Sequence, residues 1–361
     1  MEQKEANSGM LDLMIQPAFT VKNGIVDQVN EAARAYFLES GMALDKLLCN
    51  GKAEYEQMTD GCLYLTLSVG GVPCGVSVRR MDGFDIFTLE QEADQAELQA
   101  MALAAQELRM PLANVMTVAD QLFPVTDEAD DPVIQAQTAK INRGLFQMLR
   151  IIGNMSDAYR YSQQTESRLA VEDIPARLQE IFAKSAELLS HGGIQLQFTN
   201  TQQSIFGLAD GEKLERAVHN MISNAVKFSA KGSPVQAHLY RKKDMLYLSV
   251  WGSEGDNARE MQRNMHARYR RQPGLEDSRY GIGLGMVLIR SAAAAHGGTL
   301  LVDQPDSCGV RLTMSIAIRQ DKEPIVRTNV LSVDYAGERD HALVELSDIL
   351  PNTLYESPKI N

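Results

Sequence analysis

The chain is poor in cysteine, tryptophan and positive charge, and it has no long apolar run. Its four cysteines, Cys49, Cys62, Cys74 and Cys308, show no metal-ligand spacing, so a reduced intracellular protein follows. A net charge of −12 argues against nucleic acid or an anionic membrane as a general partner. No stretch reaches the ~18 uninterrupted apolar residues of a membrane span, and the opening MEQKEANSGM lacks the basic-then-apolar pattern of an export signal. The sequence therefore predicts a cytoplasmic protein with no membrane association. Histidine is missing from residues 1–90, which excludes imidazole-ligated haem there, and again between residues 92 and 165. The six histidines (His191, His219, His238, His266, His296, His341) all lie elsewhere.

What is present suffices for two or three domains. The chain has 361 residues, 44% of them hydrophobic, enough to bury real cores. From Leu11 the pattern reads as a short helix, a strand, a turn at Asn23-Gly24, a strand and a helix; Asn-Gly tolerates positive φ at both positions. CLYLTLSV and CGVSVRR are apolar, β-branched runs split by Gly70-Gly71-Val72-Pro73, and FDIFTLE makes a further strand. Two sustained heptad patterns follow. Leu98, Met101, Ala105, Leu108, Leu112, Val115, Ala119 and Leu122 alternate steps of three and four, as do Ile134, Thr138, Ile141, Leu145, Met148, Ile152, Met155 and Tyr159. Joined by the acidic FPVTDEADDP, these predict an antiparallel helix hairpin. Its seam is too narrow to be buried alone, and pairing with a second copy as a four-helix bundle would bury it.

Beyond residue 166, helix-type and strand-type segments alternate: ARLQEIFAKSAELLSHG, IQLQF, HLYRKKDMLYLSVWG and TLLVDQPDSCGVRLTMSIAI. That order predicts helices on one face of a mixed sheet. Within it, DGEKLERAVHNMISNAVKFSA forms a helix with one apolar face from Leu214, Ala217, Val218, Met221, Ile222, Ala225 and Phe228. Asn220, Asn224, Lys227 and Lys231 form a second stripe. Such a flank reads either as a solvated face or as a seat for Mg²⁺ and polyphosphate, amide oxygens being hard donors and lysine a point charge. Gly281, Gly283 and Gly285 then stand at alternate positions before a helix, where backbone can approach phosphate.

NMISNAVKFS resembles the asparagine-box helix of sensor histidine kinases, and GIGLG followed by HGG resembles their second glycine box. The likeness extends to other segments: GIVDQVNEAA resembles a PAS domain, and QELRMPL sits where that family carries its histidine box. The resemblance implies an α+β multidomain chain. It implies a PAS-like sensor domain over residues 10–90 and a dimerisation hairpin over 91–165. Residues 166–319 are the α/β-sandwich ATPase domain shared with gyrase-type ATPases and heat-shock-90 chaperones, followed by an extension over 320–361. It also implies ATP and Mg²⁺ as ligands, held by Asn220, Asn224, Lys227, Gly281, Gly283 and Gly285, with Asn224 on the metal. A homodimer is expected, with a response-regulator receiver domain or another kinase as partner.

The departures from the family pattern are chemical. Gln106 stands at the phosphoacceptor position, and an amide cannot form a phosphoramidate. Glu107 and Arg109 remain, but Met110 stands where many members carry a water-positioning Thr or Asn, and a thioether is a poor hydrogen-bonding group. In LSVWGSEGDNA, Gly252 falls where the family has its adenine-reading Asp, with Glu254 and Asp256 at two glycine positions. The sequence thus predicts a signalling scaffold or modulator without autokinase activity. Two alternatives stay open: an atypical ATP-binding kinase or ATPase, and a receiver phosphatase using Glu107 and Gln106. The lid between the glycine boxes carries Arg259, Arg263, Arg268, Arg270, Arg271 and Arg279, readable as a solvated loop or a grip for phosphate or an acidic partner. The last helix, HALVELSDIL, has Leu343, Leu346, Ile349 and Leu350 on one side, and could dock on the core or bind elsewhere.

Overall fold

The computed structural model describes residue 11 and residues 14–89, 92–122, 132–162, 168–230, 232–253, 284–305, 308–319 and 339–356. The N-terminal part begins with β1 (Ala18–Lys22) and β2 (Ile25–Val29), joined through Asn23 and Gly24 at φ 51° and 74°. Asn30 then organises the turn into α1 (Glu31–Arg34). Its side-chain oxygen accepts from Ala33 N at 2.9 Å and Ala18 N at 3.0 Å, while its amide donates to Met14 and Gln16 carbonyls. One buried amide satisfies four backbone groups, which is why it tolerates burial. After α2 (Lys52–Gln57) come β3 (Cys62–Val69), β4 (Val72–Met81) and β5 (Phe84–Leu89), giving an antiparallel sheet of order β2-β1-β5-β4-β3. Alternate residues Leu63, Leu65, Leu67 and Val69 of β3 are buried with Val76, Val78, Phe19 and Phe87 on one face.

Two long helices follow, α3 (Glu92–Leu122) and α4 (Pro132–Ser162). Helix α3 continues through Pro111. The seams read from the sequence divide into two sets spaced by sevens. Leu98, Ala105, Leu112 and Ala119 of α3 and Thr138, Leu145 and Ile152 of α4 are buried, whereas Leu108, Val115, Ile134, Ile141 and Met148 are exposed. The hairpin closes on one heptad position and leaves the other as an apolar stripe along both helices.

The third part contains β6 (Ala170–Asp173), α5 (Ile174–Ser190), β7 (Leu196–Asn200), β8 (Phe206–Ala209), α6 (Gly211–Phe228), β9 (Val235–Lys242), β10 (Met245–Trp251), α7 (Leu284–Ala295), β11 (Leu300–Asp303) and β12 (Arg311–Ala317). Its main sheet runs β11-β12-β10-β9-β7, with β7 and β9 parallel and the rest antiparallel. Helices α5, α6 and α7 pack as a layer on that sheet, the mixed α+β arrangement expected from the alternation. A feature outside the sequence reading is the junction between the two sheets. β3 pairs antiparallel with β11, Leu300 opposite Tyr64, so one ten-stranded sheet runs through both parts. Gly61 makes this approach: at φ +95° a Cβ there would lie 2.2 Å from the Val302 carbonyl oxygen.

The C-terminal extension docks on the core. Asp340 caps α8 (His341–Glu345) by accepting from Ala342 N and Leu343 N, and a 3-10 turn follows at Asn352–Tyr355. Leu343, Val344, Leu346, Leu350, Leu354 and Tyr355 join the core cluster of α4, α5 and α6. Tyr355 is fully buried, meets Phe146 edge-on at 5.2 Å, and donates to the Leu343 carbonyl at 2.7 Å. Tyr355→Ala should therefore destabilise the chain by about 3–5 kcal/mol, as buried aromatic truncations do. Tyr355→Phe removes only the hydrogen bond and should cost about 1 kcal/mol. Urea unfolding of the two variants measures the difference.

Candidate functional site

Helix α6 starts at Asp210, whose carboxylate accepts from Lys213 N at 3.2 Å and from Arg168 N at 2.9 Å. Leu214, Ala217, Val218, Met221, Ile222 and Ala225 face the sheet and are buried. The second stripe, read as a seat for metal and phosphate, meets three other elements instead of open solvent. Asn220 is buried, donates to the Arg216 carbonyl at 2.8 Å, and lies against the first turn of α7, where a Cβ on Gly285 would fall 2.6 Å from its Oδ1. Gly285 is thus required by Asn220, which ties the glycine box to the asparagine helix. Asn224 is half-buried and points its amide nitrogen at Met286 Sδ, 3.6 Å away. Lys227 pairs with Asp348 of the C-terminal extension at 2.6 Å. Gly281, Gly283, Lys231, Glu254, Asp256 and the arginines of the lid lie outside the described residues, as does the loop between α3 and α4.

Asp348 is one end of a chain of buried charges. Arg150 of α4 contacts the Asp348 carboxylate, approaches Glu345 at 3.7 Å, and reaches Ser223 Oγ and Asn220 Oδ1 at 3.3 and 3.5 Å. Glu345, only 1% exposed, also receives Arg216 at 3.3 Å; Arg216 pairs in turn with Asp157 of α4. Arg160 bridges Asp157 at 2.9 Å and Glu212 at 2.5 Å. Burial alone would raise the Asp348 pKa and lower that of Lys227. For Asp348 the two neighbouring cations outweigh burial and hold it below the usual carboxylate range; for Lys227 burial and Arg150 prevail, and its pKa falls.

None of Arg150, Arg216, Glu345 or Asp348 was singled out from the sequence. A signal existed on α4, where Asn142, Arg143, Gln147, Arg150, Asn154 and Asp157 recur at helical steps opposite the apolar seam. That stripe is the contact surface for α6 and α8.

Gln106 and Glu107 are both exposed on α3. Arg109 donates to Ser156 Oγ on α4 at 3.1 Å, and Met110 points outward. Leu98 packs with Leu284 and Leu288 of α7, which puts Gln106 about 12 Å further along the helix axis. At Gly252 a Cβ would fall 1.6 Å from Ser229 Oγ and 2.8 Å from its Cβ. The space a side chain at this position would enter is filled by Ser229, whose hydroxyl donates to the Ala225 carbonyl. Among the described residues no group of three or more His, Cys, Asp and Glu could hold a metal ion. No helix among them is long and apolar enough to cross a membrane.

Residues 209–320 match the family model described as histidine kinase-, DNA gyrase B-, and HSP90-like ATPase. The chain is 24% identical over 225 residues to sensor protein KdpD of Clostridium acetobutylicum, covering 60% of this chain and 25% of that protein. It is also 24% identical over 229 residues to sensor histidine kinase RppB of a Synechocystis strain, covering 62% and 50%. It therefore spans a quarter to a half of the length of these relatives. Among solved structures, full-length ShkA in complex with AMPPNP matches at 19% identity and a TM-score of 0.47, over 63% of this chain and 47% of that one.

Two outcomes follow from the buried groups. Glu345→Ala removes one of the two carboxylates paired with each of Arg150 and Arg216 and should cost about 1–3 kcal/mol, measurable as a lower urea midpoint. His219 and His296 are buried and held neutral, burial lowering both pKa values. Below their unfolded pKa of about 6.5 the unfolded chain binds protons that the folded chain refuses, so stability falls with falling pH. The slope is about 1.4 kcal/mol per pH unit for each histidine, until the folded pKa is reached. Urea midpoints at about pH 7.5 and about pH 5.5 give the sign.

Proposed function

We propose that this chain, which belongs to the sensor histidine kinase family, is a two-component signalling scaffold or modulator that does not phosphorylate itself. The observation that carries this reading is Gln106, exposed on α3 at the position the family gives to its phosphoacceptor. Its amide lone pair is delocalised into the carbonyl, so it has no imidazole-type nucleophile to offer, and no histidine lies elsewhere in residues 92–165.

The nucleotide side of the reading points the same way. The domain is of the ATP-binding histidine-kinase type. In it Asn224 would offer the oxygen for Mg²⁺, and Lys227 with Gly281, Gly283 and Gly285 would face phosphate. The fit is partial. Asn220 is committed to a backbone carbonyl and to Gly285, Lys227 to Asp348, and Gly252 has neither a carboxylate nor room for one. Loss of a purine-reading acceptor should weaken discrimination among nucleotides.

Output would pass through the helix pair. The exposed stripe of Leu108, Val115, Ile134, Ile141 and Met148 supports a homodimeric four-helix bundle, since so continuous an apolar face is costly in water. Such a bundle would present Gln106 and Glu107 to a receiver domain or a partner kinase. The N-terminal sheet of order β2-β1-β5-β4-β3 with its flanking helices supports a PAS-like sensor over residues 10–90.

Incubating the purified chain with γ-labelled ATP and Mg²⁺ tests this directly. The expected outcome is no acid-labile, hydroxide-stable label. Such a label within residues 92–162 would overturn the proposal in favour of an atypical kinase.

A further inference from the structure

The C-terminal extension adds a further set of contacts between elements that the Arg216–Asp157 and Arg160–Glu212 pairs already join. On the α4 side, Arg143 donates from Nε to the Ser347 carbonyl at 2.9 Å, from Nη2 to the Asp348 carbonyl at 3.0 Å and from Nη1 to Asn352 Oδ1 at 3.1 Å. Asn142 donates to the Tyr355 carbonyl at 3.0 Å and Gln147 to that of Ser347 at 3.3 Å. Carbonyls of Ser347 and Asp348, just beyond α8, and of Tyr355 are thus satisfied by side chains of another helix. On the other side, Lys184 of α5 meets Asp340 at 2.6 Å, Arg216 of α6 meets Glu345, and Lys227 of α6 meets Asp348. Residues 339–356 therefore fasten the helix pair to the helical layer of the ATPase domain.

The two carboxylates of this segment differ. Glu345 is 1% exposed and held between two guanidiniums, a fixed anchor. Asp348 is 28% exposed, and a single oxygen, Oδ2, serves both Arg150 and Lys227. Without it, a guanidinium and an ammonium would converge on one point at the protein's rim, with Ser223 Oγ beside Arg150. A planar fork plus a point charge around one oxygen position is the arrangement that recognises phosphate. Lys227 also belongs to the same stripe as Asn224, so an anion at this point adjoins the amide available to Mg²⁺.

We propose that residues 339–356 are a displaceable internal clamp, in which the Asp348 carboxylate fills an anion subsite that Arg150 and Lys227 otherwise offer to a phosphate-bearing ligand. Ligand and clamp compete for the same two cations. Occupation of the subsite loosens the tie between α4 and α6, coupling what is bound at the asparagine helix to the attitude of the helix pair. The proposal rests on the ATP-binding character of the domain and is independent of the chemistry at Gln106.

The test is calorimetric titration of the full chain with magnesium tripolyphosphate, which carries the phosphates without the purine. Asp348→Asn keeps the side chain's shape and removes its charge. It should bind the probe ~10-fold tighter than the wild type, a gain cancelled by adding Lys227→Gln. Equal affinity in wild type and Asp348→Asn, or no binding to either, overturns the proposal. Should Asp348→Asn fail to fold, tryptic cleavage at Arg339 of the wild type replaces it. Faster cleavage with the probe supports a lifted clamp, and unchanged or slower cleavage overturns it. No covalent transfer enters these measurements, so their failure leaves the reading of Gln106 intact, and a labelled helix pair would leave the competition intact.

Discussion

Two arginines on different helices, Arg150 on α4 and Arg216 on α6, are buried together, and the carboxylate between them is Glu345 of the C-terminal extension. A guanidinium cannot leave water without a partner of opposite charge and good geometry. Asp157 of α4 supplies Arg216 with a second carboxylate, whereas both carboxylates paired with Arg150, Glu345 and Asp348, belong to the extension. The docking of residues 339–356 therefore completes the contact between the helix pair and the ATPase domain. The surrounding charges balance: Arg150, Arg160, Arg216 and Lys227 against Asp157, Glu212, Glu345 and Asp348. Balanced pairs of this kind add little stability over an apolar contact but penalise any other arrangement heavily, so they fix how the elements sit.

The ATPase domain is held from a second direction as well. Its edge strand β11 is paired with β3, where an unpaired edge would otherwise expose backbone donors and acceptors. Side chains reinforce the junction: Asn50 donates to the Gly298 carbonyl at 2.9 Å and Tyr247 to Glu54 at 3.0 Å. Strand pairing on one side and ion pairs with the C-terminal extension on the other hold this domain in place.

Much of this was legible in the sequence because it is local. The Asn23-Gly24 turn, the two long helices, the apolar face of α6 and the alternation of strands and helices after residue 166 all follow from periodicity and turn chemistry. The residue types at Gln106 and Gly252 are read directly from the sequence. What sequence reading missed depends on contacts between distant segments. The heptad seams divided into a buried and an exposed set because α3 and α4 satisfy only half of each other's apolar positions. The polar stripe of α6, open to reading as a solvated face or a ligand seat, hid its partners because Gly285, Arg150 and Asp348 come from three other parts of the chain. Glu345 and Asp348 carry no local mark of their role, since nothing nearby in sequence reveals buried arginines waiting opposite. The junction of β3 with β11 joins residues far apart in sequence, and neither strand carries a mark of its partner.

The account rests on the extension being part of the folded core. Hydrogen exchange resolved to single amides measures this most directly. The amide protons of Leu346 and Leu350, bonded to the Ala342 and Leu346 carbonyls, should exchange as slowly as those in the middle of α6, through the same cooperative opening. Exchange of these amides at the rate of a free peptide, while α6 stays protected, would contradict it.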